Sequence, residues 1–355
     1  MQDLMAAKRS RFAGSLTRWG LTILLLLYLG ALGANWIAPY DPYASQADAA
    51  LLPPSQIYWR DRQGQWIGPH VYPVRQGPID LKTGQRELIT NWNAPSPLRL
   101  WVVGDSYQLL GWKGDRHLFG TNGPGKLYLL GTDDQGRDQF SRLLYGSRIS
   151  LSVGLVGVLL TFPLGVLVGG IAGYWGGWVD AAIMRLVEVL MTIPSLYLLV
   201  ALAAVLPPGL SSAQRFLLIV AITSLVNWAG LARVIRGQVL SLREREYVQA
   251  AQVMGGSKLY LLVRHVLPQT LTYVIIAATL AVPSFIVAES VLSLVGLGIQ
   301  QPDPSWGNML SLATNASMLL LNPWLIWPPA VLIVVAVLAF NLVGDGLRDR
   351  LDPHQ

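Results

Sequence analysis

The sequence predicts an all-α membrane protein of about six transmembrane helices, N- and C-termini cytoplasmic, with a small β-rich external insert between spans one and two. Three observations predict it. Of the 355 residues, 52% are hydrophobic and only 13% are charged, against about one quarter charged in an average soluble domain. The mean hydropathy is +0.43. Uncharged runs recur at the length of a bilayer core, which takes roughly 20 apolar residues per helix. Because the chain has no cysteine, disulfides, thiolate metal sites and a cysteine nucleophile are excluded. A net charge of +6 is what a membrane protein gathers in its cytoplasmic loops, so it does not point to nucleic acid.

The first uncharged run is 19–38. Basic residues before it and small residues at 31–34 also suit a cleavable signal. The run is longer than most signal cores, however, and it carries Trp19 and Trp36 near its ends, as interfacial anchors. The second run, 149–179, is longer than one span needs. The third follows Glu188 as far as Gln214 and is broken by Pro207 and Pro208. The fourth is 216–232 and the fifth 266–288. The last, 306–344, is too long for one span. Its first part, 306–322, mixes polar and apolar residues and reads as an outer-surface segment, leaving 324–343 as the span.

Lys and Arg in the short loops set the orientation. The tail at 1–18 carries Lys8, Arg9, Arg11 and Arg18 against Asp3. The loop 233–268 carries Arg233, Arg236, Arg243, Arg245, Lys258 and Arg264 against Glu244 and Glu246. The segment 299–325 has no basic residue, and the loop between spans three and four has only Arg215. Six spans with both ends inside satisfy these counts; five or seven would put a basic segment outside. The chain then divides into a cytoplasmic tail 1–18, a first span 19–38, an external insert 39–145, a five-helix core 146–345 and a cytoplasmic tail 346–355.

The insert is too long for a structureless connection. It is rich in Gly, Pro and Trp, and its segments 98–103, 107–110 and 127–130 are short, apolar and bounded by Gly or charges. They read as strands. Gly120–Lys126 fits the first seven positions of a phosphate-binding loop, but Leu127 stands where a Ser or Thr should hold magnesium; it reads as a Gly-rich turn. Asp133 and Asp134 suit a helix N-terminus. Phe140, Leu143 and Leu144 beside Arg142 and Arg148 suit a helix lying at the membrane interface.

In the loop 233–268, residues 245–254 form a good helix with a small Ala250-Ala251 face, and Gly255-Gly256 ends it. Small residues there permit close approach of another surface, and Pro268 marks the turn into the next span. On composition alone this is a basic loop. Its spacing resembles the EAA loop of ABC importer permeases: Ala250, Ala251, Gly255, Leu267 and Pro268 match, while Gln249 replaces the Glu and His265 the Ile. Two further stretches, 130–151 and 289–310, are similar to permeases of the dipeptide, oligopeptide and nickel type. The resemblance covers 130–353 and leaves 39–129 unexplained.

The resemblance implies that the loop is a coupling helix seated in a groove of an ATPase subunit. Glu246, Gln249, Ala250, Ala251, Gly255, Leu267 and Pro268 would then be the coupling residues. It implies a non-catalytic permease subunit in the plasma (bacterial inner) membrane, forming half of a pathway for peptides or a similar small solute. The expected partners are a second homologous permease, one or two cytoplasmic ATP-binding subunits, an external solute-binding protein and membrane lipid, with no nucleic acid and no cofactor. Peptide, nickel-complex, sugar-linked peptide and opine solutes all remain open. Among ionisable residues near the spans, Arg185 and Glu188 are three apart and suit a structural ion pair. Glu289, followed by Ser290, either faces the pathway or reaches the interface. An ion-coupled secondary transporter is the rival reading, but that class usually places carboxylates or broken helices at the membrane midplane. A membrane-embedded hydrolase would need an intramembrane His or paired carboxylates, and the spans have neither.

Overall fold

The computed structural model describes residues 2–79, 86–109, 111–207 and 209–351. Leu110 at the end of an expected strand, Pro208 of the expected Pro-Pro break, and residues 352–355 of the expected tail lie outside the described residues. In chain order the elements begin with α1 (Gln2–Leu32) and the short α2 (Ala34–Ile37). Six strands follow: β1 (Tyr58–Arg60), β2 (Trp66–Val71), β3 (Val74–Ile79), β4 (Arg86–Thr90), β5 (Ser96–Leu109) and β6 (Trp112–Thr121). The helical part comprises α3 (Gln139–Trp175), α4 (Gly177–Thr192), α5 (Ser195–Ala204), α6 (Ser212–Leu242), α7 (Glu246–Val253) and α8 (Lys258–Leu261). A π-turn (Leu262–Val266) then leads into α9 (Leu267–Leu294), α10 (Trp306–Leu310), α11 (Ala316–Leu321) and α12 (Trp327–Leu351). Among the described residues, 5 helices are long and apolar enough to cross a membrane, or 6 if the bent pair α4–α5 counts as one span.

That pair corrects the third expected span. The chain there bends by 85° between Thr192 and Ser195. Pro194, with φ −58° and ψ 125°, lacks the N–H that would continue the α4 ladder. A break therefore falls at Pro194 in addition to the interruption between Ala204 and Ser212 that contains Pro207, and α4 starts well before Glu188.

The chain divides into two compact units, one of Met1–Leu24, Ser152–Leu292 and Val335–Gln355, the other of Leu25–Leu151 with Ser293–Val334. In the first, α3 packs on α6 through glycines four apart. A Cβ on Gly165 would stand 2.7 Å from Leu231 Cδ2, one on Gly173 would stand 2.8 Å from the Arg236 carbonyl, and one on Gly169 would run into the Ala232 carbonyl. Small residues at this spacing let two apolar helices approach where no water drives them together. Asp180 of α4 and Arg236 of α6 close the same face with a two-pronged ion pair. A cluster of Phe162, Leu231, Ile235, Val239, Val248, Leu262 and Val266 joins α3 and α6 to the α7–π-turn segment.

In the second unit, strands run β1-β2-β5-β6 in one antiparallel sheet, and β3 pairs with β4 alone. Residues 98–103 and 107–109 belong to one long strand, β5. Residues 127–130 form no strand, which corrects that expectation. Instead Tyr128 and Ser55 exchange backbone and hydroxyl bonds, Ser55 N to the Tyr128 carbonyl at 2.8 Å and Tyr128 N to Ser55 Oγ at 2.9 Å. Gly131, at φ +73°, then turns the chain in a conformation that costs a side-chain-bearing residue. The helix expected at 140–148 is not a separate element. Residues 140–148 are the first turns of the continuous α3, with Arg142 fully enclosed. Its N-terminus is capped by Asp138, which accepts from Ser141 N at 2.8 Å and Ser141 Oγ at 2.6 Å, and not by Asp133 or Asp134. Arg148 caps the end of α1, donating from Nε to the Ala31 carbonyl at 2.6 Å and from Nη2 to that of Leu32 at 3.1 Å.

Candidate functional site

The segment from α7 to the start of α9 is built for display. Glu246 opens α7, where an acid suits the positive end of a helix. Val248 alone points inward, buried among Leu262, Val266 and the α6 residues. The helix stops in a Schellman motif: the N–H of Gly256 donates to the Ala251 carbonyl at 3.1 Å and that of Gly255 to the Gln252 carbonyl at 3.0 Å. The residue between those donors' partners and Gly256 must be left-handed, and Gly255 sits at φ +91°. This explains physically why a glycine stands at 255. Ser257 then caps α8, accepting from Tyr260 N at 3.3 Å. The π-turn widens the helix at Arg264, whose carbonyl the ring of Pro268 would otherwise strike.

Glu246, Gln249, Ala250, Gly255 and Pro268 are exposed, while Ala251 and Leu267 are half-buried. Gln249 turns back on its own segment, Nε2 donating to the Glu244 carbonyl at 3.3 Å. The sequence reading overlooked the apolar residues beyond them. Val253 and Met254 are each 88% exposed, and Tyr247, Leu259, Tyr260 and Val263 are exposed nearby. An apolar surface of this extent on a short helix marks a place where another surface sits. Their signal was in the sequence, since two large apolar residues just before a Gly-Gly stop have no interior to enter.

The other residues singled out lie apart from this segment. Arg185 and Glu188 pair at 3.3 Å on α4, both well exposed. Glu289 on α9 is fully buried and has interaction partners. Ser290 is buried and donates back to the Ile286 carbonyl at 2.8 Å. On this chain alone neither opens onto a free surface. The segment resembling a phosphate loop is a turn after β6 that packs on Ser96, with Gly125 N donating to Ser96 Oγ at 2.8 Å. No helix begins there to present its N-terminus to a phosphate, so the loop lacks half of such a site.

A second polar constellation also escaped the sequence reading. Asp133 Oδ2 lies 2.7 Å from Arg137 Nε and 3.3 Å from Arg142 Nε, all three side chains enclosed. Asp133 Oδ1 accepts from the N–H groups of Gln135 and Arg137 at 3.0 and 2.9 Å. Arg142 continues outward, donating to the carbonyls of Pro42 and Pro302 at 3.1 Å each and to Gln301 Oε1 at 2.9 Å. One guanidinium thus pins three separate stretches of chain. Beside it, burial pushes the Asp138 carboxyl up to about 6, with the Ser141 hydrogen bonds acting in the opposite direction. The arrangement ties separate stretches of chain together, so its chemistry is architectural.

Residues 165–355 match the family described as binding-protein-dependent transport system inner membrane component. Residues 15–54 match the N-terminal TM domain of oligopeptide transport permease C. The dipeptide transport system permease protein DppC of Bacillus subtilis (strain 168) is 43% identical over 232 residues, 65% of this chain and 70% of that one. The oligopeptide transport system permease protein OppC of the same organism is 42% identical over 230 residues, 65% of this chain and 73% of its own. The OppC protein of Haemophilus influenzae is 40% identical over 226 residues, 64% and 70% of the two chains. A solved chain of the inward-facing MetNI methionine ABC transporter aligns with 60% of this chain and 97% of its own, at 20% identity and a TM-score of 0.44.

Proposed function

The chain belongs to the family of binding-protein-dependent transport system inner membrane components, multi-pass inner-membrane permease subunits of ABC importers, and we propose that its solute is a peptide. The dipeptide and oligopeptide permeases among its relatives support that solute class. Family membership also removes the ion-coupled alternative: the driving force is ATP, hydrolysed on separate ATP-binding subunits, with solute delivered by a binding protein. A second, homologous permease forms the other half of the pathway, and one or two ATP-binding subunits drive the pair.

In this reading the 233–268 loop faces the cytosol, as its basic charge requires, and α7 is the handle that the ATP-binding subunit grips. The observation that carries it is the apolar end of α7, with Val253 and Met254 88% exposed on a helix whose other side is keyed into the core by Val248. Force applied to α7 passes through Val248 to α6 and through the π-turn to α9, so the helices move as packed bodies. Glu246, Gln249, Ala250 and Ala251 form the docking face, Gly255 sets its end, and Leu267 and Pro268 fix where α9 departs. Glu289 and Ser290 reach the solute only if the chain opens around them during the cycle. Arg185 and Glu188 act as a surface ion pair of small energetic weight.

The experiment is uptake by membranes containing the full importer with Val253→Asp and Met254→Asp together. Insertion and accumulation of the permease stay normal, because both side chains are in solvent. ATP-driven peptide uptake and copurification of the ATP-binding subunit are lost. Wild-type uptake in that variant would remove the coupling role from α7.

A further inference from the structure

The insert raises a question the transport reading does not answer: what supports its longest hairpin. β2 pairs with β5 only at His70 with Pro97 and Val71 with Ser96. From Leu98 onward β5 and β6 therefore run as a two-stranded ribbon with no third strand among the described residues. Such a ribbon is marginal in water unless another surface covers it. One cover is α2, directly after the first span: Asn35 Nδ2 donates to the Gln108 carbonyl, the His117 ring faces the Ala38 carbonyl, and the Trp36 and Trp101 rings stand 5.4 Å apart. Even so, Leu100 stays 70%, Trp101 58% and Val103 63% exposed.

Two features say what covers them. Trp101 holds a φ of +60°, a left-handed conformation that a bulky residue adopts only where its surroundings impose it. The strain serves to set Trp101 beside Trp36. The bare patch also adjoins, through Trp36, the end of α1, whose residues Ser15–Leu32 are apolar enough to cross a membrane. Leu25, Leu26, Leu29 and Leu32 are exposed along the last turns of α1, and Trp36 follows one turn beyond Leu32. Trp101 thus stands at the depth where hydrocarbon gives way to headgroups, the level at which Trp side chains concentrate.

We propose that the β5–β6 ribbon is an interfacial anchor, its Trp101 and Val103 lying in the lipid boundary beside the end of the first span. The insert is then tethered to the bilayer surface at a fixed depth. A protein partner could cover the same residues, and the test separates the two. Because the chain has no cysteine, a permease with Val103→Cys alone carries one spin label when it is labelled before assembly with its partner subunits. The complete transporter is placed in nanodiscs of phosphatidylethanolamine and phosphatidylglycerol, and Gln63→Cys in the exposed β1–β2 turn serves as reference. At residue 103, dissolved oxygen relaxes the label several-fold more than a water-soluble nickel chelate does; at residue 63 the order reverses. A label at 103 relaxed by the chelate as at 63 means water, and one shielded from both means a protein partner. Either result overturns the proposal. Should Val103→Cys fail to insert, Arg116→Cys, its cross-strand partner on the same face of the ribbon, is read against the same outcomes.

Discussion

Residues 133–142 and residues 246–263 invert the usual rule of burial in opposite ways. The first stretch encloses an Asp between two Arg side chains, each 3% exposed or less. The second leaves Val253 and Met254 in solvent while only Val248 of α7 enters the core. Buried charge has to be paid for by partners, so it reports where the chain must hold its own loops in register. Exposed apolar surface has no partner in the chain, so it reports where another molecule is to sit. The difference teaches that the two stretches, both part of the resemblance to peptide permeases, carry different jobs: one is fixed, the other is offered.

The comparison breaks first at Asp133. Asp133→Asn leaves Arg137 and Arg142 enclosed without their counter-charge, and removing one member of such a set costs about 3–5 kcal/mol. Thermal unfolding in detergent reads this as a large drop in midpoint. An unchanged midpoint would mean that water reaches the pair.

Next comes Asp138, whose folded value of about 6 lies above its ordinary 3.8. Folding therefore favours the protonated form. The stabilisation is fully present below pH 4 and is lost as pH rises toward 6, an effect of about 3 kcal/mol at one pKa unit per 1.4 kcal/mol. Asp138→Asn keeps an oxygen for Ser141 and removes the slope, so unfolding midpoints measured from pH 4 to 7 flatten. The same titration in wild type with no slope would show that Asp138 is hydrated.

The smallest stability effect belongs to the offered segment. At Gly255 a Cβ meets nothing within 4 Å, so Gly255→Val introduces only left-handed strain of about 1–2 kcal/mol, confined to the end of α7. Unfolding barely moves while peptide uptake fails, and Gly255→Asn, which tolerates that conformation, restores part of it. If Gly255→Val lowers the unfolding midpoint as far as Asp133→Asn does, the two stretches are not different in kind.

Much of this was legible beforehand. Spans four, five and six follow from uncharged runs, and the stop of α7 from Gly255-Gly256, because composition alone decides whether a helix tolerates lipid or ends. The bend at Pro194 was missed because Pro207-Pro208 is the louder signal, although a single Pro with extended ψ suffices to break a ladder. Strands β1 to β4 and β6 were missed because residues such as Pro69 and His70 in β2 and Lys113, Asp115 and Arg116 in β6 interrupt the apolar alternation that marks a strand. In the Asp133–Arg142 set, Asp133 and Arg137 stand only four apart, but their burial hid because it comes from stretches around Pro42 and Gln301 that are distant in sequence. The glycines at 165, 169 and 173 were visible as spacing, but only the approach of Ala232 gives them meaning.

The central claim is that the end of α7 meets an ATP-binding subunit. The most direct measurement is a single Met254→Cys in the assembled importer, treated with a short bifunctional reagent and probed for a product containing both subunits. The account predicts such a product, with a yield that changes when ATP is added. A Met254→Cys that stays fully reactive toward a water-soluble maleimide, forms no joint product and supports normal uptake would contradict it.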